Sequence, residues 1–179
     1  MSSLDGCASH GSRYSGRRGK IQARSLTPAQ LRARRDRVAR VARAVGFVGR
    51  IEYRHVFTQT GGAQYGQGVV PTGDLLTVYA EAFERDADPA DFSLAPMVAH
   101  ERGHQLVARH PRLSRQAEGI SLATEEVLAS VVGALICPAP RDKDSLLAKA
   151  TIELINHGDA PEVAVRRLRG LKKLLEELL

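Results

Sequence analysis

The run AHERGHQ, residues 99–105, places two histidines four positions apart with a glutamate directly after the first. On an α-helix, residues four apart stand one turn apart on the same face, so His100 and His104 can aim their imidazoles at one point. Two nitrogen ligands for a metal then come from a single turn. Glu101 lies on the rim of that face, where its carboxylate can hydrogen-bond a metal-held water without being a ligand itself. This is the division of labour of the H-E-x-x-H pattern, in which the histidines bind zinc and the glutamate is the general base. The ordinary alternative is a pair of solvated histidines on a surface helix. Against it, Met97, His100, Glu101, His104, Val107 and Ala108 fall on one stripe, so the polar groups sit among apolar ones and need a partner there. Gly103 is a second oddity: glycine inside a helix costs about 1 kcal/mol relative to alanine and signals a close backbone approach.

A catalytic zinc takes three protein ligands and leaves a fourth position for water. Glu125 and Glu126 open the next apolar stretch, TEEVLASVVGALICP, and a carboxylate there can enter a buried seam between two helices. From Glu126 the positions three, four and seven on are Ala129, Ser130 and Gly133, all small, which lets this face lie close to Gly103. Glu126 is therefore preferred to Glu125, whose place in a first turn suits the helix dipole anyway. Peptide hydrolysis also needs a donor for the tetrahedral oxyanion. His157 in INHGD is one candidate, with Tyr65 and Tyr79 as others, although His157 beside Gly158 better suits an ordinary helix end. A deformylase-like site would need a cysteine ligand upstream, and only Cys7 precedes the motif. The glycines of GGAQYGQG lack the Gly-Lys-Ser/Thr of a phosphate cradle and are read as hairpin glycines. His55 is read as a strand residue, not a ligand.

Together, AHERGH, the Glu-x-x-Ala-Ser of Glu126 to Ser130, the helix ended by LICP and the later APEVAVRRLRGLKKLL resemble the ImmA/IrrE-type metallopeptidases over about residues 60–175. The resemblance implies a gluzincin-like fold, zinc held by His100, His104 and a glutamate, and Glu101 as base. It also implies a substrate class, helix-turn-helix transcriptional repressors. Two positions depart from the family pattern: Ser130 stands where Asn or Asp is usual, and Val132-Gly133 where Phe-Ala is usual.

The elements that must position these residues are legible from period and punctuation. Thr27-Pro28-Ala29-Gln30 has the form of a capping box with proline at the first helical position, so a helix is expected to about Val45, ended by Gly46. Its stripe is Leu31, Val38, Val41, Ala42 and Val45, and the rest of its surface is mostly arginine. Strand-like runs follow at Arg50–Phe57, Ala63–Val70 and Leu75–Phe83, with turns at Gly61-Gly62 and Pro71-Thr72-Gly73-Asp74. One of these strands, Leu75–Phe83 for example, is expected to accept an extended substrate as a further strand, as any edge strand can. Helices are then expected over Ser93–Arg109, Ser121–Cys137, Asp144–Asn156 and Ala160–Glu177, with Asp159 as a cap for the last. The expected fold class is α+β: a small antiparallel three-stranded sheet packed against the HExxH active-site helix, with a mainly helical C-terminal part.

With 179 residues, the chain suits one domain. Residues 1–25, rich in Ser, Gly and Arg, are expected to form a disordered basic tail, and 26–179 a single zincin-like domain beginning with a basic amphipathic helix. No apolar run is long enough for a membrane span and the N-terminus has no signal-like core, so a cytoplasmic protein with free Cys7 and Cys137 is expected. Residues 1–50 hold 12 Lys and Arg against 2 Asp and Glu, whereas the rest holds 14 against 18. Such a basic arm fits nucleic acid or another anionic partner, and it also fits a solubilising tail. The sequence thus points to a zinc-dependent endopeptidase acting on a protein or peptide, with a regulatory repressor as substrate class. The alternative is a basic nucleic-acid-binding or metal-sensing protein whose zinc is structural.

Overall fold

The computed structural model describes residues 23–58, 61–83, 93–113 and 122–179. The expected disordered tail and Cys7 lie outside these residues, except for 23–25. There the Arg24 carbonyl accepts a hydrogen bond from His55 Nε2 at 2.6 Å, and the Tyr53 hydroxyl is 2.9 Å from His55 Nδ1. Both ring nitrogens of His55 are thereby engaged.

Helix α1 spans Pro28–Ala44. The Gln30 amide donates to Thr27 Oγ1 at 3.2 Å and the Thr27 amide to Gln30 Oε1 at 2.9 Å, which closes the capping box. Val38 and Ala42 are buried, and Gly46, at φ +74°, turns the chain away after the helix end.

Three strands follow, β1 (Arg50–Arg54), β2 (Ala63–Gly66) and β3 (Leu75–Tyr79), in the order β1-β3-β2. β3 is antiparallel to β2 and parallel to β1, so the sheet is mixed and the expected all-antiparallel arrangement is corrected. The reason is visible in LLTVY. Leu76, Thr77 and Val78 are all buried, and a strand covered on both faces takes the centre of a sheet. A short 3-10 turn at Pro71–Gly73 folds β3 back along β2. β1 then takes the other side of β3, and two chain reversals make it run parallel. All three strands are shorter than their apolar runs suggest: β3 passes at once into a 3-10 turn at Ala80–Phe83, and beyond β2 the chain bends so that the Gly68 amide bonds Asp74 Oδ1 at 2.7 Å.

The helical part consists of α2 (Leu94–Arg109), α3 (Leu122–Ile136), α4 (Pro140–Asn156) and α5 (Pro161–Leu178). α4 begins a turn earlier than expected, because Pro140 starts this helix as well as following the previous one; proline at a first helical position loses no hydrogen bond. Asp159 is not the cap of α5. Ala160 holds that place, and Asp159 pairs with Arg167 at 3.3 Å.

α2 is the hub, touching α1, β2, α3 and α4. On its sheet side, Val38, Leu76, Val78, Met97, Val98 and Leu146 are buried in one cluster, and a second, with Val107, Val127, Val131 and Leu154, fills the space between the helices. The fold is α+β, mostly helical, with a small mixed sheet. No described helix is long and apolar enough to cross a membrane.

Candidate metal centre

The α2–α3 contact sets the geometry. A Cβ on Gly103 would overlap the Ala129 carbonyl, and one on Gly133 would stand 2.8 Å from the Ala99 oxygen. These two contacts pair rising numbers on α2 with falling numbers on α3, so the helices run antiparallel with their backbones nearly touching. The small face Ala129, Ser130, Gly133 is what permits it, as the sequence spacing predicts. Glu126 is thereby held over the face of α2 that carries His100 and His104.

Glu126 spans the two rings. Its Oε2 lies 3.1 Å from His100 Nε2 and its Oε1 3.2 Å from His104 Nε2. One ligand atom from each of the three residues falls within 4.8 Å of the others, and the group can hold a metal ion. With bonds of about 2.0–2.1 Å, neighbouring ligands of a tetrahedral zinc stand roughly 3.3 Å apart, so both imidazole–carboxylate spacings are already of that size. The other nitrogen of each ring is also engaged. His100 Nδ1 is 3.1 Å from Ser130 Oγ, and His104 Nδ1 is 3.5 Å from Glu125 Oε1. Outer partners of this kind orient imidazole ligands. Glu126 therefore belongs to the ligand group, whereas Glu125 faces the back of His104. Ser130 supplies the contact to His100.

Burial, aided by the nearby Lys149 and His104 charges, pushes the His100 imidazole down to about 4 against the pull of Glu126. Burial also works against ionisation of Glu126, but the hydrogen bonds with His100 and His104 outweigh it and hold this carboxyl well below the usual range. For His104 burial is again opposed, and the surrounding carboxylates of Glu126, Glu101 and Glu125 win, raising it. Glu101 is buried, and burial pushes its carboxyl up against the nearby His104 charge and a hydrogen bond from the Tyr65 backbone.

Spacing does not single out Lys149, yet its Nζ lies 3.0 Å from His100 Nε2 and 3.2 Å from Glu126 Oε2. The available signal is a lysine three positions after Leu146 on a helix whose buried stripe is Leu146, Ala150 and Leu154. An ammonium only donates, so His100 Nε2 accepts from Lys149 in the tautomer whose ring proton is on Nδ1, beside Ser130; in the other tautomer Nε2 donates to Glu126 instead. The Nδ1-protonated tautomer is the one in which Nε2 can bind a metal.

A second polar cluster occupies another face of α2. Asp74, fully buried, accepts from Tyr65 Oη at 3.1 Å, Gln105 Nε2 at 2.7 Å and Arg109 Nε at 3.2 Å, besides Gly68. Burial opposes its charge, but Arg109, Gln105, the Gly68 amide and Tyr65 hold the carboxyl down at about 2. The Tyr65 hydroxyl is in turn pushed up to about 12, by burial and then by Asp74. A turn aspartate in PTGD gives no hint of this role.

None of the three oxyanion candidates is brought to the ligand group by a hydrogen bond. His157 is the exposed C-cap of α4, followed by Gly158 at φ +103°, and the Tyr79 hydroxyl bonds Gln64 at 3.3 Å. Tyr65 directs its hydroxyl to Asp74. The expected substrate edge is also corrected: β3 is flanked on both sides, and the sheet's edges belong to β1 and β2. No known family profile matches the chain, and neither does any curated protein or solved structure.

Proposed function

We propose that the protein is a cytoplasmic zinc-dependent endopeptidase in which His100, His104 and Glu126 hold the metal and Glu101 is the general base. The observation that carries this is the convergence of both Nε2 atoms on the Glu126 carboxylate, each ring braced from behind, with Glu101 buried beside them. Bound zinc supplies Lewis acidity, lowering the pKa of water from 15.7 to about 7 and polarising a carbonyl. The Glu101 carboxylate takes a proton from the water that attacks the scissile carbonyl carbon. It then passes that proton to the departing nitrogen, so a C–N bond is exchanged for a C–O bond and a carboxylate and an amine leave. A carboxyl raised by burial is the stronger base for this work.

An extended substrate suits the outer edge of β2, which pairs with no strand but β3 among the described residues and lies beside α2, where the Tyr65 amide already reaches Glu101. The likeness of the motifs to the ImmA/IrrE-type peptidases makes a helix-turn-helix repressor the proposed substrate class. The test is incubation with the repressor encoded by a neighbouring gene, comparing wild type with Glu101→Gln. Cleavage by wild type alone is expected. Cleavage by both chains contradicts the role of Glu101, and cleavage by neither contradicts the substrate class.

A second reading draws on α1, where Arg32, Arg35, Arg37, Arg40 and Arg43 are all exposed. Such a face fits phosphates, with the metal then purely structural. Salt-dependent DNA binding that survives chelation of the metal would favour it.

A further inference from the structure

Lys149 stands where a metal ligand group has no obvious use for a cation. Its Nζ is within hydrogen-bond distance of His100 Nε2 and of Glu126 Oε2, a bridge across two of the three atoms that would bind zinc. Nε2 carries a single lone pair in the ring plane, and that pair cannot serve an ammonium and a metal together. Two cations drawn to the same carboxylate and imidazole also repel each other at short range. The ammonium ends a flexible four-carbon stem, and its side chain is 22 % exposed, so a path to water is open.

Resting on the metal-site reading above, we propose that Lys149 is an internal cation competing with zinc for His100 and Glu126, so that metal loads only by displacing it. In one state the lysine bridges α4 to α2 and α3 through these two side chains. In the other zinc holds them, and Lys149 swings outward. The competition sets a threshold: the site fills only when free zinc is high enough to displace the lysine, which makes occupancy responsive to metal supply. It also gives α4 a means of sensing the site, because its contact with the ligand group is made in only one of the two states.

Zinc dissociation constants, measured by competition with a chromophoric chelator, test this on the full chain and on Lys149→Met, Lys149→Gln and Lys149→Arg. Exchanging one charge-assisted contact corresponds to about tenfold in affinity, so Met and Gln are expected to bind zinc about tenfold more tightly than wild type. Arg, which keeps a cation, is expected to bind no more tightly than wild type. Zinc should also raise the melting temperature of the Met and Gln proteins more than that of the parent at equal free metal. If one substitution prevents folding, the other neutral one against Arg gives the same contrast. Met and Gln proteins that bind as wild type does, or more weakly, overturn the competition and leave the zinc site standing. Failure of all four chains to bind zinc overturns both.

Discussion

Two polar clusters share helix α2 and behave in opposite ways. On one face Asp74 is a single acceptor carboxylate met by donors from Tyr65, Gly68, Gln105 and Arg109. Each of these contacts runs from a donor to the one carboxylate, and the cluster ties the β2–β3 connection to the helix. On the other face two imidazoles, Glu126 and the nearby Glu101 crowd together with the Lys149 ammonium, and opposing influences push His100 down, His104 up and Glu101 up. A fully satisfied cluster stabilises a fold, whereas one with lone pairs aimed at a common point and contested by one cation is arranged to bind something. Burial alone does not tell them apart; the balance of donors and acceptors does.

Substitutions should separate the two clusters. Glu101→Gln is expected to give the largest effect, a fall in peptidase rate of about a thousandfold with zinc content unchanged, read from initial rates and metal analysis. Gly103→Ala should come next, because it strikes the seam on which the ligand group depends: the new methyl meets the Ala129 carbonyl, and a loss of about 3 kcal/mol in urea unfolding together with weaker zinc binding is expected. Asp74→Ala should cost about 2 kcal/mol by leaving buried donors without their acceptor, yet keep the zinc stoichiometry of wild type. If it lost its zinc, the separation of the two clusters would fail. Thr27→Ala, remote from both, should cost about 1 kcal/mol through the lost cap.

Acid adds a finer contrast. The Asp74 carboxyl is lowered from 3.8 to about 2, so between these values the unfolded chain binds the extra proton. The stabilisation is therefore full above pH ~4 and disappears as pH falls through about 2. Comparing urea midpoints of wild type and Asp74→Asn should show their difference shrinking over that window.

Much of the candidate metal site was legible because it is local. The helical period alone places His100 and His104 on one face, and the small residues after Glu126 foretell the close approach at Gly103. The preference for Glu126 over Glu125 came from the small residues on its helix face, and the rotation of α3 adds that one carboxylate lies between the two rings and the other behind His104. Lys149 and Asp74 were not legible, since a lysine on a mid-polar helix and an aspartate in a turn look solvated until distant chain covers them. Strand order was hidden for the same reason: β1 and β3 pair across a long separation, and Gly61-Gly62 suggested a tight turn between neighbours. The helix starts expected near Thr27, Ser93 and Ala160 were read to within a residue, whereas the cap expected at Asp159 was not, since its charge went to Arg167 instead.

The central claim is that one zinc is held by His100, His104 and Glu126. Metal analysis of purified wild type, Glu125→Ala and Glu126→Ala tests it most directly. About one zinc per chain in the wild type and in Glu125→Ala, with almost none in Glu126→Ala, is the predicted result. A metal-free wild type, or a Glu126→Ala protein that keeps its zinc, would contradict it.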